Sequence, residues 1–226
     1  MTSIFQRALG ADFDRLHPQL RRRFGFASDD RTACVGTGVM AEIWRGRAFT
    51  LPFLYAGATR NILFPERGRD VPFTIQNFAY RDSHDRETVT FVRTFDLGGV
   101  RRRFDATMIY SAARGRVVDY LGTHQHLAVD LDLRVDGQGG LHIRTGSQRF
   151  HEGLIGMRLP LALSGTARVH EWYDDDAGCF RIQVDVANSR FGPLFGYRGA
   201  FTATYLDTAA SPVPDSVRPV RESLRD

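Results

Sequence analysis

The chain has 226 residues, 42% of them apolar and 25% charged, with a net charge of +4. All 30 basic residues are arginine, which excludes chemistry that needs a lysine, such as a Schiff base or the phosphate contact of a Walker A motif. The mild positive charge does not indicate nucleic-acid binding, and no apolar stretch reaches the ~18 residues of a membrane-spanning helix.

The two cysteines, Cys34 and Cys179, do not form a disulfide framework, and the sequence shows no secretory signal peptide. Both observations predict a reducing, cytoplasmic location. A chain of this length buries about 70% of its unfolded surface, so its core needs no disulfide or metal. The arginine clusters Arg21–Arg23 and Arg101–Arg103 are interpreted as solvated faces, with phosphate binding as the less favoured alternative.

The N-terminal region predicts two short helices. Ser3 and Gln6 have the spacing of a capping box, and Gly10 ends the first helix. Pro18 suits the first turn of the second helix, which Gly25 ends. The apolar residues of the second segment lie at helical spacing: Phe13, Leu16, Leu20 and Phe24.

Residues 33–46 predict an early strand or hairpin, and residues 53–61 predict a short helix. The apolar segment Phe49–Tyr55 is flanked by arginines, so contact with a membrane surface is one hypothesis for it. The favoured alternative is that the helix covers one end of the sheet, because apolar segments are more often part of a protein core than of a membrane contact.

Between Val71 and about Asp207 the apolar residues alternate, which is typical of antiparallel strands. The clearest hairpin turns at Gly98-Gly99, a pair that permits a type I′ turn. Folding the chain there brings apolar residues of both strands to one face. The predicted cross-strand pairs are Phe95 with Arg102, Arg93 with Phe104, Phe91 with Ala106, and Val89 with Met108.

Three further segments continue the pattern: a strand over 127–135, a hairpin pairing 167–173 with 180–186, and a last strand over 194–206. These add up to about eight to ten successive strands. We therefore predict an α+β fold dominated by strands, a curved antiparallel meander or incomplete β-barrel with short N-terminal helices packed against it.

The expected domain organisation is one domain over residues 1–207. Its first part, 1–62, is mainly a helical cap with an early strand, and 71–207 form the antiparallel sheet. Residues 208–226 are rich in Pro, Ser and Arg, and their composition predicts a disordered tail.

Arg93 is the most informative polar residue, because it alternates in phase with apolar residues that should be buried. A buried guanidinium is costly unless acceptors satisfy it. Glu171 alternates in phase with Ala167, Val169 and Tyr173, so its side chain is also predicted to face inward. Two arrangements are possible. The two residues form a closed ion pair, which is the favoured interpretation because structural ion pairs are common, or they face a cavity and orient a ligand.

Other candidates are weaker. Tyr110 and Tyr197 could donate a hydroxyl into a cavity, although core packing is the favoured interpretation. His124 and His126 are expected on one face of a strand, but Asp130 and Asp132 make that face look solvent-exposed, so we predict no metal site. Further histidines lie on later strands or loops: His142, His151 and His170. No nucleophile elbow is present in the sequence, and we expect no cofactor.

Several short motifs resemble a family. The segment Ile4–Gly10 and the following Phe13-x-x-Leu16-His17-Pro18 resemble the start of the bacterial domain of unknown function 4166 family. Later matches occur in the same order: Phe91-x-Arg93-x-Phe95, where the family has W-x-R-x-F; Gly156, Leu159 and Pro160; Gly192-Pro193-Leu194; and Tyr197-x-Gly199. The resemblance implies no activity. It adds weight to Arg93, and it implies a dehydrogenase-like Rossmann partner, since family members are often fused to saccharopine-dehydrogenase-like modules.

Three functional hypotheses follow. The first is a binding module for an apolar or amphipathic small molecule, with Arg93 as the polar anchor of an internal cavity. The second is a cofactor-independent cyclase or isomerase acting in the same cavity, and the third is a non-catalytic interaction domain that partners a dehydrogenase. The residues expected to line the ligand site are Phe91, Arg93, Phe95, Phe104, Glu171, Tyr173 and Tyr197.

Overall fold

The computed structural model describes residues 2–152, 155–159, 165–210 and 212–224. Three α-helices lie within these residues: α1 at Ile4–Leu9, α2 at Pro18–Phe24 and α3 at Leu51–Ala58. In this part of the chain no helix is both long and apolar enough to cross a membrane.

The two N-terminal helices begin and end as the sequence predicts. The Ser3 hydroxyl accepts a hydrogen bond from the backbone N–H of Gln6, and Gly10 follows α1 with φ of 55°. Pro18 occupies the first turn of α2, where its missing N–H leaves no hydrogen bond unmade. The third helix lies close to the predicted segment, beginning two residues earlier and ending three residues earlier.

Most of the remaining described chain is extended. The strands are β1 (Thr32–Arg45), β2 (Gly68–Arg81), β3 (Glu87–Asp96), β4 (Arg101–Ser111), β5 (Arg116–Leu121), β6 (Leu127–Val135), β7 (Leu141–Glu152), β8 (Ile155–Leu159), β9 (Thr166–Asp174), β10 (Cys179–Asn188) and β11 (Gly192–Asp207). The segment 33–46, which could have been a strand or a hairpin, is the single long strand β1.

These strands form one antiparallel sheet in the order β6-β5-β4-β3-β2-β1-β11-β10-β9-β7-β8, and β6 also pairs with β7. That additional pairing closes ten strands into a barrel and leaves β8 outside the ring. The prediction of an incomplete barrel is therefore wrong. The loop after β6 returns β7 to lie between β6 and β9, and closure removes the exposed sheet edges that an open meander would leave.

The predicted hairpin register is confirmed at all four positions. The observed pairs are Val89–Met108, Phe91–Ala106, Arg93–Phe104 and Phe95–Arg102. The hairpin of β9 and β10 is confirmed as well, with Tyr173 opposite Phe180 and Ala167 opposite Val186. In both hairpins a short turn and the alternation of side chains specify the same register.

The seam between β7 and β9 is a short ladder of four residue pairs, the same number as between β5 and β6. It joins Leu141–Arg144 of β7 to Arg168–Glu171 of β9. Beyond this ladder two side chains continue the connection: the Thr145 hydroxyl accepts from the Ala167 N–H at 2.7 Å, and Gln148 donates to the Gly165 carbonyl at 2.5 Å.

Helices cover both ends of the barrel. One end carries α1 and α2, whose buried residues Ile4, Phe5, Leu20 and Phe24 join the main core. The other end, where β1 stops and β2 begins, carries α3, with Leu54 buried beneath it. The space between these covers contains the candidate site.

The residues after β11 run along the outside of the barrel. Val217 packs with Ala33, Phe78 and Val92, and Glu222 accepts a hydrogen bond from the Tyr80 hydroxyl. The division of the chain into a domain ending at 207 and a disordered tail stays a prediction, but the described tail residues make specific contacts here.

Candidate functional site

A pocket of about 290 Å³ lies inside the barrel between the two helical covers. Phe24 of α2 lies on one side of the pocket, and Phe53, Ile62 and Leu63 from α3 and its following loop also line it. Strand residues make up the rest of the wall, and most of them are apolar. The apolar strand residues that line the pocket include Phe91, Phe104, Met108, Leu121, Leu127, Val129, Leu131, Ile143, Val169, Ile182, Val184 and Val186.

Arg93 reaches this pocket from β3, on the inward face that its phase predicts. Its guanidinium carbon lies 4.9 Å from the ring centre of Phe104 and 5.5 Å from that of Phe91. Stacking on aromatic faces stabilises a cation. Among the described residues, however, neither Nε nor Nη1 of Arg93 has a hydrogen-bond partner, although both atoms are buried. Two strong donors are therefore left unsatisfied inside an apolar pocket.

Asp119 of β5 also lines the pocket and is buried. Burial raises the pKa of its carboxyl to about 7, although the nearby positive charge of Arg93 acts to lower it. Its Oδ1 has no hydrogen-bond partner within the described part of the chain. Arg93 and Asp119 together form a polar pair whose hydrogen-bonding capacity is largely unused.

Glu171 lines the pocket too, but its partner is not Arg93. Arg23 of α2 donates from Nε to Glu171 at 2.5 Å, and from Nη1 to Asn77 at 2.5 Å and to the Cys34 sulfur at 3.4 Å. Burial by itself would lower the pKa of Arg23, but the neighbouring Glu171 and Cys34 raise it above its ordinary value. Arg23 thus balances the charge of Glu171 and leaves Arg93 without that partner, although Nη2 of Arg23 has no hydrogen-bond partner among the described residues.

The prediction that Arg21–Arg23 form a solvated face is therefore wrong at Arg23. In α2, Arg23 follows Leu20 by three residues, so the two side chains share the face that enters the barrel. The helical spacing of Leu20 and Phe24 could have placed Arg23 inside.

The structure separates the predicted ligand-site residues into two groups. Those lining the pocket are Phe91, Arg93, Phe104, Glu171 and Tyr197. The others are not among its lining residues: Phe95 packs with Phe64 and Phe73, Tyr173 stacks on His17 with ring centres 5.0 Å apart, and Tyr110 lies under the Arg7 guanidinium.

Tyr197 of β11 points a hydroxyl into this interior. The hydroxyl is buried and has no hydrogen-bond partner among the described residues. Burial raises the pKa of Tyr197 to about 12, so the group is a hydrogen-bond donor at neutral pH.

The expectations about histidines need correction. His124 and His126 lie in the connection between β5 and β6 and not on a strand. Asp130 is buried and not solvent-exposed. Its Oδ1 lies 2.8 Å from Nη2 of Arg149, and the β6–β7 register shifts at this position, between Val129 and Leu131. The predicted Pro160 match and the side chain of His151 lie outside the described residues.

Asp119 was missed by sequence reasoning. It alternates with Val117 and Leu121, and Leu121 lines the pocket as well. Val118 and Tyr120 on the opposite face of this six-residue strand are also buried, so its apolar pattern does not distinguish the two faces.

The fold and the pocket define a class: a closed, ten-stranded antiparallel β-barrel with helices over both ends and a mostly apolar interior. The chain belongs to the family described as "Domain of unknown function (DUF4166)", which it matches over residues 16–201. The resemblance seen in the sequence is thereby confirmed.

A curated relative is similar along nearly its whole length. The protein named "Uncharacterized protein YndH" of Bacillus subtilis (strain 168) is 36% identical over 203 residues, covering 89% of this chain and 97% of that protein. No solved structure matches the chain.

Proposed function

We propose that the protein binds an apolar or amphipathic small molecule inside its barrel, with Arg93 as the polar anchor. One observation carries the proposal: an apolar pocket contains a guanidinium with two buried, unsatisfied donors. Such donors cost stability, and a ligand carboxylate or carbonyl would satisfy them. The volume of about 290 Å³ lies near the lower end of the range for small-molecule sites, roughly 300–1,000 Å³.

Asp119 narrows the range of ligand head groups that the pocket is proposed to bind. When its carboxyl is protonated it donates a hydrogen bond, so Arg93, Asp119 and Tyr197 all supply hydrogen-bond donors among the residues that line the pocket. A carboxylic acid, an enolate or a carbonyl compound with an apolar body fits this arrangement.

The test compares the mass of the purified protein in native mass spectrometry with the mass of the denatured chain. Any compound that an organic solvent extracts from the protein is then identified. The expected result is a bound compound with an apolar body and an oxygen acceptor. Anilinonaphthalene sulfonate, an apolar dye with an anionic group, serves as a direct probe of the empty pocket.

The matched variants are Arg93→Gln and Arg101→Gln, because both arginines lie on the same hairpin and Arg101 is exposed at its tip. We expect Arg93→Gln to weaken dye binding about tenfold or more, as loss of a charge-assisted contact would, and Arg101→Gln to leave it unchanged. A protein that carries no compound and binds no dye, or an Arg93→Gln variant that binds as well as wild type, contradicts the proposal.

The second candidate function is that of a cofactor-independent isomerase or cyclase, and Asp119 is the observation that favours it. A carboxyl with a pKa near neutrality is suited to take up and return a proton. In an isomerisation it would remove a proton from the carbon beside a ligand carbonyl and return it to another carbon, while Arg93 stabilises the oxyanion.

Incubating the extracted compound with wild type and Asp119→Asn separates the two candidates. An enzyme converts the compound and loses conversion, but not binding, in Asp119→Asn. If wild type binds the compound without changing it, the protein is a binding module. The third hypothesis, an interaction domain partnering a dehydrogenase, stays a prediction.

A further inference from the structure

A second cluster of polar side chains lies away from the pocket, at the barrel end covered by α2. It consists of Asp136 in the loop between β6 and β7, His142 on β7 and His170 on β9. One ligand atom from each residue lies within 4.8 Å of the others. The Nε2 atoms of His142 and His170 are 3.0 and 3.1 Å from the same oxygen, Oδ2 of Asp136.

The barrel seam brings the two histidines together. His142 and His170 are directly opposite each other in the β7–β9 ladder, so their side chains leave the sheet on the same face. Their rings are stacked with centres 3.9 Å apart and planes 8° apart. Trp172 stacks on His170 with ring centres 4.5 Å apart, which restricts the orientation of that ring.

The loop orients the carboxylate toward them. Oδ1 of Asp136 accepts hydrogen bonds from the backbone N–H groups of Gln138 and Gly140, each at 2.8 Å, so Oδ2 is the oxygen turned to the histidines. A Cβ at position 140 would lie 2.6 Å from Asp136 Oδ2 and 2.8 Å from His170 Nε2. Glycine at this position leaves the space between the donors open.

We propose that Asp136, His142 and His170 form a binding site for a divalent first-row transition metal ion, with Zn²⁺ as the best match. Two imidazole nitrogens and one carboxylate oxygen form a common donor set for this ion, which takes a water molecule as its fourth ligand. The two backbone hydrogen bonds to Asp136 are the outer contacts that orient such a ligand.

Binding requires both imidazole rings to move, and the His170 ring must do so against the Trp172 ring stacked on it. A metal ion lies in the plane of each imidazole that binds it, so the stacked rings of His142 and His170 must tilt toward a common point. All three side chains are at least partly solvent-exposed, so an ion can reach them. The bound ion would join the β6–β7 loop to β9 and strengthen the short seam that closes the barrel.

The test uses protein without a histidine tag, stripped with a chelator that is then removed. Zn²⁺ is titrated in competition with a chromophoric chelator, and Co²⁺ is titrated while its visible absorption is recorded. We expect one equivalent of Zn²⁺ to bind, an intense Co²⁺ spectrum typical of four-coordination, and a higher melting temperature with Zn²⁺ than without it.

The variants are His142→Gln, His170→Gln and Asp136→Asn, with His124→Gln as the matched control. His124 also stands next to another histidine, with ring centres 5.6 Å apart, but within the described residues no third donor joins that pair. Each site variant should bind Zn²⁺ at least about tenfold more weakly, and His124→Gln should bind like wild type.

Circular dichroism of each metal-free variant establishes that it is folded, and if either histidine variant is not, Asp136→Asn alone provides the comparison. The proposal is overturned if wild type binds no single equivalent of Zn²⁺, if folded site variants bind as tightly as wild type, or if His124→Gln abolishes binding. None of these results bears on the pocket, since the dye experiment there requires no metal.

Discussion

Arg23 and Arg93 are both buried inside the barrel, and they differ in what stands beside them. Arg23 contacts Glu171 and Asn77, whereas two nitrogens of Arg93 have no hydrogen-bond partner among the described residues. A buried ion pair adds little net stability, but removing one member destabilises the fold because the other charge stays buried without a partner. An unsatisfied buried cation is costly even when it stacks on aromatic rings.

This difference predicts opposite responses to the same substitution. Arg23→Met should lower the free energy of unfolding by about 3–5 kcal/mol, because it leaves Glu171 buried without a partner. Below pH 7, where Asp119 is protonated, Arg93→Met in ligand-free protein should be neutral or stabilising, because it removes an unsatisfied group and keeps an apolar stem. Urea unfolding of the two variants measures both changes. Equal destabilisation would mean that Arg93 is also a structural ion-pair member.

Asp119 makes stability depend on pH. Its pKa in the folded protein is about 7 against an ordinary value of 3.8, so between these values the folded state holds a proton that the unfolded state has lost. Stability contributed by this group is therefore present below about pH 4 and is lost as pH rises through about 7, on the order of 4 kcal/mol in all.

The comparison with Asp119→Asn isolates this effect, since the amide does not titrate. We expect the wild type to lose stability relative to the variant between about pH 5 and about pH 8. Denaturant unfolding at both values measures the difference. A constant difference would show that Asp119 does not titrate between them.

At the scale of single elements, α3 is the part of the wall that stands between the pocket and solvent. Phe53 lines the pocket while 52% of its surface is exposed, whereas its neighbour Leu54 is fully buried. Phe49 and Phe191 pack against each other at the same end of the barrel, with ring centres 5.6 Å apart and planes tilted by 58°. The helix thus combines a buried anchor with an exposed aromatic side chain over the pocket.

Two substitutions in α3 should therefore have different effects. Phe53→Ala should increase the rates of dye association and release with little loss of stability, because the side chain shields the pocket and is half-exposed. Leu54→Ala should cost about 2–5 kcal/mol, as in other buried leucine truncations. Stopped-flow fluorescence and urea unfolding measure the two effects. Unchanged dye kinetics in Phe53→Ala would place the ligand route elsewhere.

At the scale of the whole molecule, contacts distant in sequence hold the barrel closed. The ladder between β7 and β9 covers only Leu141–Arg144, and Thr145 and Gln148 extend it with side-chain hydrogen bonds. The segment after β11 adds contacts across the outside of β1, β2 and β3, through Val217.

The tail contacts can be tested by truncating one side chain. Val217 is 3% exposed and Val220 is 74% exposed, so the same substitution probes a packed and a free position. Val217→Ala should lower the free energy of unfolding by about 1–2 kcal/mol, and Val220→Ala should not change it. Two equal, near-zero effects would instead support the disordered tail that the composition predicts.

Features encoded by neighbouring residues could be predicted from the sequence. The β3–β4 register follows from Gly98-Gly99 and the alternation beside it, and the first helix boundary follows from Ser3 and Gln6. The partner of Glu171 could not be predicted, because Arg23 lies 148 residues away in the chain. Asp119 was missed because both faces of β5 are apolar and buried, so periodicity could not identify its side.

The sequence by itself determined that Arg93 faces inward, that strands dominate, and that lysine chemistry is absent. Only the tertiary structure decided that the sheet closes, that Glu171 pairs with Arg23 instead of Arg93, and that Asp119 shares a pocket with Arg93. The physical reason is that alternation specifies the face of each strand locally, whereas charge partners depend on which strands closure makes neighbours.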